Sequence, residues 1–446
     1  MKRRRWFEVH SWIGVATGLL LFVVCWSGTT AVLSYEIDWL LDARLRVEPA
    51  RAGETASWGA LYQTVRRVHP DAVQVVLHSP PYRCSAAFAD VELPGERIAR
   101  VYLDPYNADY RGSAGRLNVQ RFFRDLHMAL FDVGNAFGGY WIVGAFSVVL
   151  FVSTMTPLMF YRRWWRSFLL PSRRPRGSHA LWSELHKMAG VWGLLFSLLI
   201  ALTGFWYLME WADPIAYPET PQFASSSPVE LTPTDLDTLV RRAATQWPNL
   251  EIRSVGLPEG SHWGGVVSLD GQAEAVLVRD RSNRLFLDPE TGATRFMQRA
   301  DELPWPARWI DTADPLHFGN FAGLGIKAVW FVFGLLLSGM SLTGTYLHAR
   351  RLAALRHPIR PRTRAAGMWA TVLLLSATVA LAKNDLESYF TSTPPGVDPI
   401  TSATAGFLAV WTVGTLLLVG GFIGLLTRAP PPTHFASAKR SIRPKS

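Results

Sequence analysis

The sequence predicts an α-helical integral membrane protein with six transmembrane helices, arranged as two parallel span-module-span repeats plus a C-terminal hairpin, with two small α+β modules outside the membrane. Three observations predict it. Six apolar segments approach the length a bilayer demands, basic residues crowd into alternate loops, and an internal repeat carries the same histidines twice.

About 20 predominantly apolar residues cross a hydrocarbon core of about 30 Å. Six segments meet or approach that length: Ile13 to Leu33, Tyr140 to Phe160, Val191 to Met209, Phe321 to Leu347, Ala366 to Leu381 and Ala405 to Leu426. The fifth is the shortest. The first is too long, and too poor in cleavage signal, to be a removed signal peptide.

A formal charge of +10 raises nucleic-acid binding as a function, but its distribution argues against it. The bases collect in "KRRR" at the start, in "YRRWWRSFLLPSRRPR" after the second span, in "HARRLAALRHPIRPRTR" after the fourth and in the tail "KRSIRPKS". With six spans these segments share one side, and the positive-inside rule puts both termini in the cytoplasm. The charge is a topology signal, membrane lipid is the partner it implies, and no nucleic acid is expected. Most of the 19 tryptophans lie near span ends as an aromatic belt, with Trp12, Trp192 and Trp330 as candidates to line a cofactor.

Cys25 falls inside the first span and Cys84 in an outer loop, at depths too different for a disulfide. There is no CxxC, CxxCH or Cys-rich pattern. Any metal or redox chemistry must therefore use histidine.

The chain is written twice. "EVHSWIGVATGLLLFVVCWSGTTAVL" matches "ELHKMAGVWGLLFSLLIALTGFWYLM", so that His10 meets His186, Gly14 meets Gly190 and Gly28 meets Gly204 at one offset of 176 (186 − 10, 190 − 14, 204 − 28). "RVYLDPYNADYRG" resembles "RLFLDPETGATRF", each an alternating strand running into an Asp-Pro turn. "FRDLHMALFDVGNAFGGYWIVGAF" pairs with "TADPLHFGNFAGLGIKAVWFVFGL" and sets His127 against His317.

The expected order follows. Helix 1 spans 1–35, outer module 1 spans 36–118, and a His-bearing approach with helix 2 spans 119–165. A basic loop 166–182, helix 3 at 183–210, outer module 2 at 211–312 and a second His-bearing approach with helix 4 at 313–350 repeat the plan. A basic loop 351–365, the hairpin 366–428 and a basic tail 429–446 complete the chain, with a linker at Ser225 to Pro228. Both repeats begin and end inside, so they are related by an axis along the membrane normal. In each outer module an amphipathic helix ("TASWGALYQTVRRVHPDA", "TPTDLDTLVRRAATQWPNL") precedes strands of period-two apolar character.

Ionisable groups at membrane depth are costly and mark function. One edge histidine is ordinarily an interfacial residue; two pairs recurring at equivalent places are not ordinary. His317 and His348 are 31 residues apart (348 − 317), roughly 46 Å on a continuous helix at 1.5 Å per residue. His127 and His317 thus form an outer site, and His10, His186 and His348 an inner one. Facing histidines can supply both axial ligands of a haem. Zinc would ask for four ligands, or three plus water, and only Asp125 and Asp314 lie near the outer pair. Small residues around the histidines, Gly14, Gly18, Gly190, Gly193, Gly319, Gly323 and Gly325, suit the approach of a flat macrocycle or close helix contact. Two haems, one near each face, would carry electrons across the membrane.

The two His- and Gly-rich stretches resemble the corresponding helix of PepSY-associated transmembrane (PepSY_TM) proteins, and the "LDPYNADYRG" and "LDPETGATRF" turns resemble the small PepSY modules between such helices. The resemblance covers about Arg3 to Arg351. It implies a role in bacterial iron uptake, since some members resemble inner-membrane siderophore-iron reductases with two non-covalent b-type haems. On that likeness a ferric siderophore or other ferric chelate is reduced in the periplasm. The haem-ligand roles carry over to His10 and His186 (inner pair) and His127 and His317 (outer pair). His348 departs from the repeat, because its counterpart is Tyr161 when Thr156 is set against Thr343. It is an alternative inner ligand, or a proton or propionate partner beside the haem. No GxGxxG fingerprint is present, so quinol or a separate cytoplasmic reductase is the expected electron donor. Two other readings stand at this point: a non-enzymatic sensor or transporter whose outer modules bind a peptide or chelate, and a quinol-linked carrier serving another periplasmic acceptor.

Overall fold

A computed structural model describes residues 2–50, 55–134, 136–161, 164–168, 177–212, 217–223, 231–258, 263–354 and 359–427. The basic tail 429–446, the middle of the basic loop 166–182, part of the basic loop 351–365 and the Ser225 to Pro228 linker lie outside these residues.

The first repeat runs through helices α1 (Lys2–Val32), α2 (Ser34–Leu41) and α3 (Trp58–Val68), and strands β1 (Gln74–His78), β2 (Ala87–Leu93), β3 (Arg97–Leu103) and β4 (Tyr110–Ala114). It ends in α4 (Val119–Ala129) and α5 (Gly139–Phe160). The second runs through α6 (Ser178–Trp192), α7 (Leu194–Ala212) and α8 (Pro233–Gln246) to β5 (Glu251–Gly256), β6 (Val267–Gln272), β7 (Asn283–Leu287) and β8 (Thr294–Gln298). It ends in α9 (Trp305–Phe318) and α10 (Gly323–Ala354), and the hairpin α11 (Ile359–Ser392) and α12 (Ser402–Thr427) follows.

Among the described residues four helices are long and apolar enough to cross a bilayer: Gly139–Phe160, Leu194–Ala212, Gly323–His348 and Ser402–Gly424. The first expected span joins them when the two arms of α1, Arg3–Gly14 and Ala16–Val32, bent by 58°, count as one. The fifth expected span, α11, is 34 residues long but does not meet that standard of apolarity. Arg360, Arg362 and Arg364 open it, and Lys383, Asp385 and Glu387 crowd its last turns. A core of Leu21, Val24, Phe146, Leu150, Ala201 and Leu337 joins α1, α5, α7 and α10.

Outside this bundle β1, β2 and β6 alternate in burial at every residue, as the period-two pattern requires, whereas β7 is buried along its whole length. The two modules do not stand apart, however. β1 pairs antiparallel with β5, Leu77 opposite Val255, and the result is one eight-stranded sheet in the order β4-β3-β2-β1-β5-β6-β7-β8. Leu61, Tyr62 and Val65 of α3 and Leu236, Leu239 and Ala243 of α8 belong to one core with strands from both repeats. Thr232 and Asp235 form a capping box at the start of α8. Asp237 of α8 reaches across to accept from the Ser57 hydroxyl and the Gly59 N–H at the start of α3, both at 2.7 Å. The other face of the sheet carries one Asp–Arg pair per repeat: Asp90 with Arg100 (2.8 Å) and Asp270 with Arg284 (3.1 Å).

Candidate functional site

α4 is an 11-residue helix fixed at its start by side chains. The Asn118 amide oxygen accepts from Arg121 N–H at 2.7 Å, and the Asp38 carboxylate accepts from Val119 and Gln120 N–H at 2.8 and 3.0 Å. The helix stops where Leu130 turns left-handed (φ 53°), which leaves His127 in its last turn. α9 ends the same way at Gly319 (φ 68°), with His317 in its last turn. The two imidazoles meet with ring centroids 6.1 Å apart and planes at 41°. At the opposite end of the bundle, on α1 and α6, His10 and His186 meet at 6.5 Å and 60°.

The hydrogen bonds behind the rings fix their tautomers. His127 Nδ1 faces the Val24 carbonyl at 2.9 Å, an acceptor only, so Nδ1 carries the proton; the Ser27 hydroxyl lies at 3.3 Å. His317 Nδ1 faces Thr203 Oγ1 at 2.8 Å, His10 Nδ1 faces Thr156 Oγ1 at 3.1 Å, and His186 Nδ1 faces Thr343 Oγ1 at 2.9 Å. Each threonine also donates its own proton to the carbonyl four residues back, Leu199, Val152 and Gly339, each at 2.8 Å. Its oxygen is therefore left to accept from Nδ1–H. All four histidines keep the Nε2 lone pair as a ligand, oriented by a partner on Nδ1 as metal-binding histidines ordinarily are.

Two imidazoles bonded at about 2 Å to opposite sides of one metal ion hold their centroids about 6 Å apart. Both pairs fit that spacing. A bare ion fits less well, since a structural zinc takes four ligands and no group of three or more His, Cys, Asp or Glu suited to a metal occurs among the described residues.

His127 and His317 line a cavity of about 580 Å³ between α1, α5, α7 and α10, within the range of about 300–1,000 Å³ usual for cofactor sites. Its deep walls are apolar, from Val24, Phe146, Leu150, Ile200 and Leu337. Gly28 of α1 stands against His127: a Cβ there would lie 2.6 Å from Cε1, so only glycine lets the ring sit this close. The mouth toward the sheet is charged, with Arg124, Arg279, Arg281 and Lys327. Lys327 pairs with Glu36 at 2.8 Å, and Arg281 with the fully buried Asp311 at 2.8 Å. Burial alone lowers the pKa of Arg279; Asp314, Tyr207 and Glu210 around it outweigh that and raise it.

The remaining candidates fall as follows. Asp314 accepts from Tyr207 (2.7 Å) and Arg279 (3.3 Å), and Asp125 from Arg121 (3.1 Å) and Tyr389 (2.6 Å), so both carboxylates brace the histidine helices. His348 stands five residues beyond Thr343 on α10, about 7.5 Å further from the sheet at 1.5 Å per residue. Trp330 lines the cavity, whereas Trp12 and Trp192 are exposed. The hydroxyls behind the rings are the functional residues that sequence reasoning missed. A signal was present, because Ser27 and Thr203 share the histidine offset of 176 (203 − 27) and Thr156 aligns with Thr343.

Fold and site together define a helical membrane protein that holds two bis-imidazole sites at opposite ends of one bundle, beneath a continuous extramembrane sheet. The chain belongs to the PepSY-associated TM region family, whose profile it matches over residues 7–351. It is similar to "Uncharacterized protein PA4219" of Pseudomonas aeruginosa, with 25% identity over 330 residues, 68% of this chain and 82% of that one.

Proposed function

We propose that the chain is a di-haem oxidoreductase of the bacterial inner membrane that delivers electrons to ferric iron, held in a siderophore or another chelate, in the periplasm. One observation carries this reading: two histidine pairs at metal-bridging distance, all four with Nδ1 hydrogen-bonded and Nε2 left to ligate. A b-type haem held by two imidazoles has no open iron position and supplies one-electron transfer.

His127 and His317 would hold the sheet-side haem, and His10 and His186 the one near the basic loops, with His348 as the alternative ligand or propionate partner at that end. Val24, Thr203, Thr156 and Thr343 set the imidazole orientations. The apolar cavity walls exclude water, and the sheet above the charged mouth shapes the place where the chelate docks. Reducing the substrate iron weakens its hold on hard oxygen ligands and promotes release. In this reading the helices make six passes, α11 being the least apolar, with both termini in the cytoplasm. Quinol or a separate cytoplasmic reductase is the donor.

Haem content and an absorbance spectrum of the purified full chain test the reading. Two haems per chain with split low-spin bands are expected, falling to one in His127→Ala and to one in His10→Ala. Protein that lacks haem when expressed with ample haem supply overturns it.

A further inference from the structure

The hairpin of α11 and α12 lies beyond residues 7–351 of the family match and carries none of the four paired histidines. It is nevertheless fastened to the His127 half of the sheet-side site by buried polar contacts. Arg121 Nε of α4 donates to Tyr389 Oη of α11 at 2.6 Å and to Asp125 Oδ2 at 3.1 Å. Tyr389 Oη in turn donates to Asp125 Oδ2 at 2.6 Å. Asp125 is 4% exposed and Tyr389 6%, so the bond between them is made out of water, where an unmade one is costly, while the half-buried Arg121 closes the group.

A second contact lies on α12. Trp411 Nε1 donates to Thr30 Oγ1 of α1 at 3.1 Å, while its ring stands edge-on to Phe123 of α4 (4.7 Å) and stacks on Trp26 of α1 (6.0 Å). Trp26 Nε1 donates back to Thr415 Oγ1 at 3.0 Å. The hairpin thus grips both elements that fix His127: α4, which carries it, and α1, which supplies the Val24 carbonyl facing it. The His317 half is anchored from the second outer module instead, where Asp311 of α9 accepts from Arg281 (2.8 Å) and Ser282 (2.6 Å) of the turn before β7 and from Tyr217 (2.5 Å). A helix of 11 residues is too short to hold its place by propensity alone.

We infer that the C-terminal hairpin is a positioning device for the sheet-side site, with Tyr389 as the positioning residue that holds α4, and through it His127, in register with His317. The inference rests on the bis-histidine reading of that pair.

Tyr389→Phe, in the full chain with its bound groups, keeps the ring and removes the hydroxyl. Hydrogen exchange of residues 119–130 is expected to rise at least about tenfold, the factor that losing either one of the hydroxyl's two hydrogen bonds to charged groups implies, while 305–318 stays unchanged. The low-spin magnetic resonance signal of the sheet-side site, which reports the angle between imidazole planes, should shift while that of the distal site does not. Trp411→Phe, which loses the bond to Thr30, serves as the second variant and should move the same segment. Unchanged exchange at 119–130 in both variants overturns the inference, as does a rise of equal size in both histidine helices. Protein without haem would defeat the proposed function, and the exchange measurement would still decide whether the hairpin holds α4.

Discussion

At the scale of residues, the hydroxyls behind the imidazoles separate orientation from ligation. Thr203→Val keeps the shape of the side chain and removes the acceptor of His317 Nδ1–H. Losing such a partner typically weakens metal affinity by about 10–100-fold. Thr203→Val should therefore loosen the sheet-side group by that factor and spare the distal one, and Thr343→Val should do the reverse; haem titration of the depleted protein measures both. Equal affinities in wild type and variants would show that the hydroxyls orient nothing. Gly28→Ala tests the space rather than the bond. The new Cβ would press on His127 Cε1 at 2.6 Å, so the ring must leave its place, and sheet-side occupancy should fall while the helical circular dichroism is retained. The histidines were legible in the sequence because each recurs at an equivalent place in the second repeat, His10 with His186 at an offset of 176 (186 − 10) and His127 with His317 at 190 (317 − 127). The threonines were not, since a threonine inside a helix ordinarily bonds the carbonyl four residues back and looks unremarkable there. What makes them functional is the second lone pair, and only the fold says which ring it faces.

At the scale of elements, the Asp-Pro turns show local chemistry that the sequence does announce. Asp288 accepts from the N–H groups of Thr291 (2.8 Å) and Glu290 (3.1 Å), and pairs with Arg295 at 2.5 Å. The Thr291 N–H, then Arg295, hold its carboxyl at about 2, below the usual carboxylate value. Because the folded value is depressed, the turn's contribution is full above the unfolded value of about 3.9 and fades as pH falls toward about 2. Acid titration of the sheet, followed by exchange at residues 283–298, should show a loss between those values that Asp288→Asn abolishes. An identical acid profile in the variant would remove Asp288 from the account. Asp104 builds the same turn in the first repeat, accepting from Tyr106 N–H at 3.0 Å, which is why two distant peptides look alike. α11 was harder to read. Its apolar run is short, and the polar residues that lower its hydropathy include Asp385, close to the Tyr389 contact with α4.

At the scale of the whole molecule, the seam between β1 and β5 ties the two repeats together outside the membrane. Ser79 N–H donates to the Arg253 carbonyl at 2.8 Å and Leu257 N–H to the Val75 carbonyl at 3.0 Å, flanking the Leu77–Val255 position. Proline at Val255 deprives a central strand of its N–H. Exchange should then rise in β1 and β2 as well as in β5 and β6, since one core lies beneath both. A rise confined to the second repeat would mean that the modules fold separately.

Legible along the chain alone were the apolar lengths, the crowding of basic residues into a few loops, the repeat and the identity of the paired histidines, because each is a property of composition or spacing. Tertiary structure decided that two modules share one sheet, since a period-two pattern names the buried face of a strand and leaves its edge partner open. It also joined His10 with His186, set all four rings against acceptors that leave Nε2 for a ligand, and brought the hairpin onto α4. These are contacts between residues up to 288 positions apart (Phe123 and Trp411, 411 − 123), and no local pattern encodes which of several compatible neighbours the folded chain will bring together.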